Sequence, residues 1–347
     1  MVKTLEQGLA KVDSNCQPQP AGYDGGNGYS KLALGDSEIL IPSYFTPIQQ
    51  SQLYDLPGGR GSLVEYLGGT RTDLVSQQFL TGEPAYLRFP ESCLKVSDDR
   101  RGKIKFGLQM LLGALGSKRW QPDYELNLVL SIQDAKALGS DLKNALAGEH
   151  TVRFNRHQYP TTVKIKVLRV VEEGAGAIAE LIRSGQALPS QKVILLDIGH
   201  GTVITSVFAP RGKLLERKVT TSGVYQLIEA IAKNLETRKQ LAKEGDRELI
   251  SEAIENGNFI YGSTGWNFSQ VYHQELKPWV SSSLATAIKS VEAWRDASNI
   301  ACFAIGGGSA LPLISPLLAQ RGFALLPSAN WLNARGLASL ARLLGGA

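Results

Sequence analysis

Apolar residues in this chain come in short alternating or continuous runs, bounded by glycine, proline and aspartate, and several are followed by stretches of helical periodicity. Residues 21–44 predict a β-meander: a short strand ending at Tyr23, a turn Asp24-Gly25-Gly26-Asn27-Gly28, a strand over 29–34, a Gly35-Asp36 turn and a strand over 38–44. Residues 193–221 repeat the construction. An apolar strand leads into the turn Asp197-Ile198-Gly199-His200-Gly201, then come a strand over 202–208, a turn at Pro210-Arg211-Gly212 and a strand over 213–220. Asp24 and Asp197 stand 173 positions apart in a chain of 347. A repeat at half the chain length predicts two similarly built α/β domains that face one another across a cleft.

Beyond the second meander, Val224, Leu227, Ile228, Ile231 and Leu235 fall at helical spacing, with Ser222-Gly223 ahead of them as a cap. Further helices are expected over 246–256, stopped by Gly257, and over 281–294. The apolar run Cys302-Phe303-Ala304-Ile305 reads as a buried strand whose glycines, Gly306-Gly307-Gly308, open another helix. Upstream, an alternating strand over 163–171 feeds Glu172-Glu173-Gly174, and a helix over 177–182 joins the two halves. Residues 1–20, ending Gln17-Pro18-Gln19-Pro20, read as a flexible polar arm, so the fold is expected to begin at Ala21.

Composition narrows the function classes. The chain is 20% charged and 43% hydrophobic, as soluble globular proteins are. Its longest strongly apolar stretch, 106–115, is about half of what a membrane-crossing helix needs, and no export signal is read at the N-terminus, so the expected location is cytoplasmic. Cys16, Cys93 and Cys302 are scattered, which suggests packing residues rather than a disulfide or zinc framework, and the four histidines lack metal-ligand spacing. The net charge of +5 is interspersed with acids except over 153–169, which reads as a solvated hairpin face.

The chemistry lies in the glycine turns. Glycines there let backbone N–H groups approach an anion such as phosphate. An aspartate beside each turn would repel phosphate alone, but Mg²⁺ removes the conflict, because it is held by one or two carboxylates together with substrate phosphates. Lys31, seven residues after Asp24, adds positive charge to the same place. A P-loop motif is absent. Gly174-x-Gly176-x-x-Ala179 imitates a dinucleotide fingerprint, but Glu172 and Glu173 put negative charge where a pyrophosphate would sit.

Five segments in order resemble the actin-like ATPase superfamily, and within it the bacterial plasmid-segregation actins of the ParM type. Asp24-Gly25-Gly26-Asn27-Gly28-Tyr29-Ser30-Lys31 is similar to the first phosphate motif, and Leu196-Asp197-Ile198-Gly199-His200-Gly201-Thr202 to the second. Ala304-Ile305-Gly306-Gly307-Gly308-Ser309-Ala310 resembles the adenosine motif. Glu173-Gly174-x-Gly176-Ala177 and Asn333-Ala334-Arg335-Gly336-Leu337 resemble the two connecting segments of the hinge.

The resemblance implies a two-domain actin-like (ribonuclease H-like) ATPase fold with a nucleotide cleft. It places domain I over 21–172 plus 334–347 with an outer subdomain near 43–91, a connecting helix over 173–190, and domain II over 191–333. It further implies ATP and Mg²⁺ as ligands, with GTP the alternative nucleotide, and Asp24 and Asp197 acting on the metal through its waters. Gly25, Gly26, Asn27, Gly28, Lys31, Gly199, His200, Gly201 and Thr202 would surround the phosphates, Gly306, Gly307, Gly308 and Ser309 the adenosine, and Glu173 would orient the attacking water. His200 replaces the acid of conventional actins and reads from the sequence as a hydrophilic turn residue. The chain itself, as a filament, and an adaptor protein linking it to DNA are the implied partners; no membrane partner and no direct DNA binding are expected. A small-molecule kinase of the same superfamily and a nucleotide-binding filament without turnover are the alternatives.

Overall fold

The computed structural model describes residues 17–49, 55–56, 58–99, 101–295 and 299–346. Residues 1–16, most of the expected arm, lie outside them. Among the described residues there are fifteen strands: β1 (Gln19–Gly25), β2 (Tyr29–Leu34), β3 (Ser37–Pro42), β4 (Tyr44–Ile48), β5 (Leu63–Gly69), β6 (Gln78–Thr81), β7 (Leu94–Lys95), β8 (Asp123–Ile132), β9 (Gly148–Phe154), β10 (Thr161–Glu172), β11 (Lys192–Ile198), β12 (Val203–Phe208), β13 (Leu214–Thr220), β14 (Ile300–Ile305) and β15 (Ala324–Leu325). They make a ten-stranded sheet, β3-β2-β1-β8-β10-β9-β5-β6-β4-β7, and a five-stranded sheet, β13-β12-β11-β14-β15.

The repeat seen in the sequence is a repeat in three dimensions. In the first sheet β3, β2 and β1 run antiparallel, and β8 and β10 continue parallel to β1; β13, β12, β11, β14 and β15 follow the same order in the same senses. Strands covered on both faces carry continuous apolar runs. In β8, Leu128, Val129 and Leu130 are all buried, as are Val193 to Leu196 in β11. The apolar stretch over 106–115 became the wholly buried helix Gly107–Gly116 against the first sheet. No helix among the described residues is long and apolar enough to cross a membrane.

The chain enters the second half through the helix Ala175–Arg183, and the helix Leu332–Gly345 returns to pack on β1 and β8. These helices cross at glycines. A Cβ on Gly336 would lie 1.7 Å from the Gly176 carbonyl oxygen, and one on Gly176 would lie 2.3 Å from that of Asn333. So close an approach of two backbones excludes any side chain.

Four expectations need correction. Gln19 and Pro20 belong to β1, paired with Leu126 and Asn127 of β8 while β2 pairs only from Ala21 on, so Pro20's missing N–H leaves no bond to β2 unmade. The strand expected over 38–44 ends at Pro42, and Tyr44 starts β4, which pairs with β6 and β7 instead. The helix expected over 281–294 begins at Ser269. It passes Pro278 and widens into a π turn, Val280–Leu284, before Ala285–Lys289; a wide turn is a usual way for a helix to absorb a proline. The glycines after β14 form a short 3₁₀ turn, Gly307–Ala310, and the true helix, Ile314–Gln320, starts only after Pro312. Cys93 and Cys302 are half-buried and packed against apolar clusters. Over 161–169, buried Thr161, Val163, Ile165 and Val167 alternate with exposed Lys164, Lys166 and Arg169, so this part of the basic run is a solvated strand face.

Candidate nucleotide cleft

The two repeated turns meet across a cavity of about 660 Å³ between the sheets. Each turn is closed by its own backbone: Gly26 N–H donates to the Tyr29 carbonyl at 3.1 Å, and Gly199 N–H to that of Thr202 at 2.9 Å. They interlock. A Cβ on Gly28 would lie 2.5 Å from the His200 Cβ, and one on Gly201 would lie 3.1 Å from the Asn27 amide nitrogen. Glycine at 28 therefore lets the second turn close on the first. The His200 ring is mostly buried, 5.4 Å from the Tyr225 ring, and burial, helped by the Lys95 ammonium, lowers its pKa to about 4. It is a neutral wedge between the halves rather than a solvated turn residue.

Asp24, Gly26, Asn27, Gly28, Lys31, Glu173, Asp197, Gly199, His200, Gly201, Thr202, Gly306, Gly307, Gly308 and Ser309 all line this cavity. Gly25 does not; it ends β1 behind the turn, against the Tyr23 ring. Sequence reasoning missed Lys103, Gln133, Glu255 and Asn333, which line it too. None of these lies in a glycine-marked phosphate turn, so no local signal marks them; Asn333 had entered only as the first residue of a hinge segment.

Gly306 has φ +83°, and a Cβ there would lie 2.4 Å from Asp197 Oδ1 and 2.5 Å from the Ile198 carbonyl oxygen. The glycine turn after β14 thus lies directly on the end of β11. Asp197 is half-buried there, at the cavity wall. Burial first, then the Asp24 carboxylate, push its pKa up to about 6, against the opposing pull of Lys31. Lys31 Nζ lies 3.9 Å from Asp24 Oδ2.

Glu173 forms an ion pair with Lys103, from the short helix Gly102–Lys105. Burial would raise the Glu173 carboxyl, but the Lys103 ammonium, aided by Arg217, overrides it and holds the group below the usual carboxylate range. Burial likewise works against the charge on Lys103, and the Glu173, Asp24 and Asp197 carboxylates more than compensate. Arg217, on β13, donates to Glu172 Oε2 and to the Glu173 carbonyl oxygen, both at 2.7 Å, while Glu172 Oε1 accepts from Ala135 N–H at 2.7 Å. The backbone at 172–173 is therefore tied to both sheets.

The donor set fits a magnesium nucleotide. Among the described residues no three His, Cys, Asp or Glu side chains gather as a metal cage. Mg²⁺ does not need one, since it retains waters and takes one or two carboxylates plus phosphate oxygens, and here two aspartates face a cavity floored by glycine turns. Asn333, more than nine-tenths buried, lines the same cavity with its Oδ1 unpartnered while Nδ2 donates to Ser131 Oγ at 3.0 Å.

Residues 22–176 match the family model for the actin like proteins N terminal domain. The chain has the actin-like fold. The archaeal actin homologue Ta0583 in complex with ADP superposes with a TM-score of 0.72 at 18% identity, over 93% of this chain and 99% of that one. Bacillus thuringiensis ParM with AMPPNP gives 0.68 at 16%, covering 95% and 99%. ParM from a 15-stranded Clostridium botulinum filament also gives 0.68 at 16%, covering 94% and 99%. No curated protein sequence matches the chain.

Proposed function

We propose that this actin-like protein binds Mg-ATP in the interdomain cleft, polymerises into filaments and hydrolyses the nucleotide to drive filament turnover, serving plasmid DNA segregation through an adaptor protein. The observation that carries the reading is the pair of interlocked glycine turns with a half-buried aspartate at each, facing one cavity. Relatives in fold bound to ADP or AMPPNP, or assembled as a filament, support it. On this reading domain I covers 21–172 plus 334–347 and domain II 191–333, with 173–190 between them.

Asp24 and Asp197 would hold the metal's waters, and the ion would supply charge neutralisation for the phosphates. Lys31 and the turn amides of Gly26–Gly28 and Gly199–Thr202 would grip the phosphates, and Gly306–Ser309 would pass along the adenosine. Glu173 orients the attacking water. The water oxygen bonds to the terminal phosphorus, the bond to the bridging oxygen breaks to leave the diphosphate, and the water's proton leaves by way of Glu173.

The test is light scattering after addition of Mg-ATP, with phosphate release followed in the same sample and Mg-GTP run in parallel. Scattering that rises and then decays with phosphate release is the expected result, and Asp197→Ala removes the release. Release without scattering favours a kinase of the same superfamily; stable scattering without release favours a filament that holds nucleotide unchanged.

A further inference from the structure

Lys103 lies outside every glycine motif, yet it occupies the inner cavity beside Glu173. Its place is fixed by the backbone. Gly102 N–H donates to the Asp99 carbonyl at 2.9 Å, Phe106 N–H returns to the Gly102 carbonyl at 2.8 Å, and a Cβ on Gly102 would lie 1.8 Å from the Val96 carbonyl oxygen. The short helix is thus pressed against the segment before it. Two of its lysines face opposite ways: the Lys105 side chain is 61% exposed and pairs with Asp99, whereas that of Lys103 is 18% exposed and turned onto Glu173.

Among the charged groups that line the cavity are the carboxylates Asp24, Asp197 and Glu173 and the ammonium groups Lys31 and Lys103; the cations Arg60 and Arg101, which line it too, are paired with Glu83 and Asp141. Lys31 is occupied by Asp24 within its own meander. Lys103 is the group whose partner is the carboxylate assigned to the attacking water. While the pair holds, the ammonium occupies an oxygen of Glu173 on which a water would have to act. A terminal phosphate brings more negative charge than one carboxylate, so an ammonium within reach of both is drawn to the phosphate. Arg217 and the Ala135 amide keep the backbone at 172–173 in place whichever anion the ammonium selects.

We propose that Lys103 is a terminal-phosphate sensor: it holds Glu173 in an ion pair when the terminal phosphate site is empty, and moves onto the terminal phosphate of a bound triphosphate, freeing the Glu173 carboxylate to orient water. The inference rests on the nucleotide reading of the cleft and adds to it a discrimination between triphosphate and diphosphate. Water activation becomes coupled to the presence of the group to be removed, because with a diphosphate bound the ion pair re-forms.

The experiment measures dissociation constants for Mg-AMPPNP and Mg-ADP by fluorescence at protein concentrations below assembly. The proteins are wild type, Lys103→Met, Lys103→Arg, Glu173→Gln and the double variant Lys103→Met/Glu173→Gln. Lys103→Met is expected to weaken AMPPNP at least tenfold and ADP less than threefold, with Lys103→Arg recovering most of the difference. Glu173→Gln, which removes the competing anion, should tighten AMPPNP several-fold. The double variant carries no uncompensated buried charge, so it stays informative if Lys103→Met alone does not fold, and it should show the same selective loss of AMPPNP. Equal losses for both nucleotides, or none, make Lys103 a structural clamp and overturn the proposal. A wild type that binds neither nucleotide removes the cleft reading itself, a different result from wild-type binding that the variants leave unaltered.

Discussion

At the scale of single residues, Asp197 carries the clearest energetic consequence. A carboxyl raised from 3.8 to about 6 binds its proton more tightly folded than unfolded. Its penalty is absent below pH 3.8, grows between 3.8 and 6, and is fully present above 6. With metal chelated by EDTA and nucleotide then removed by dialysis, Asp197→Asn should therefore be more stable than wild type at pH 7.5, by up to about 3 kcal/mol, and the advantage should vanish toward pH 4 in urea titrations. Equal stabilities at pH 7.5 would show that the carboxylate is not isolated as described. The glycine turns were legible in the sequence because Asp-x-Gly-x-Gly states its chemistry locally. Lys103 was not, since nothing in Gly102-Lys103-Ile104-Lys105 tells which lysine turns inward. His200 was misread because a turn's exposure depends on what closes over it, and here that is Gly28 of the other half.

At the scale of elements, local periodicity fixed what is local. Strand β2 and the helix Val224–Lys233 follow from side-chain spacing, except that Leu235, expected on the same apolar face, is exposed and starts a separate helix, Leu235–Leu241, after the Asn234 cap. Where prediction drifted, a partner distant in sequence decided: β4 leaves the meander because β6 and β7 pair with it, and Pro278 is carried inside a helix whose buried face includes Val271, Tyr272, Leu276 and Trp279. The crossing of the two connecting helices is the most demanding junction. Gly336→Ala puts a methyl against the Gly176 carbonyl oxygen, where the neighbour is backbone and cannot turn aside. Such overpacking typically costs about 1–3 kcal/mol and here belongs at or above the top of that range. A fall in the urea midpoint is the expected reading, and an unchanged midpoint would mean that the helices separate freely.

At the scale of the whole molecule, the halves are held together at a second place, remote from the glycine crossing. Tyr29 donates to Glu255 at 3.0 Å and Tyr86 to Asp246 at 2.7 Å, and Tyr44 donates to Glu248, so three tyrosines of the first half grip the helix Arg247–Glu255 and its cap. Lys95 adds its ammonium over the Tyr225 ring at 4.6 Å. Hydrogen bonds to charged groups contribute about 1.5–3 kcal/mol each at most. Replacing all three tyrosines by phenylalanine should accelerate release of a fluorescent nucleotide at least tenfold and enlarge the radius of gyration in solution scattering without nucleotide; unaltered release would show that the grip does not hold the cleft shut. The cavity runs from Asn333 and Glu173 beside the glycine crossing to Glu255 beside the tyrosines. In mechanical terms, on the proposed nucleotide reading, the molecule would be a nutcracker, with the fulcrum at Gly176 and Gly336, the load at the phosphates and the handles at the tyrosine grip. A lever of that kind magnifies: loss of one phosphate group near the fulcrum would be felt as a larger displacement where the handles meet.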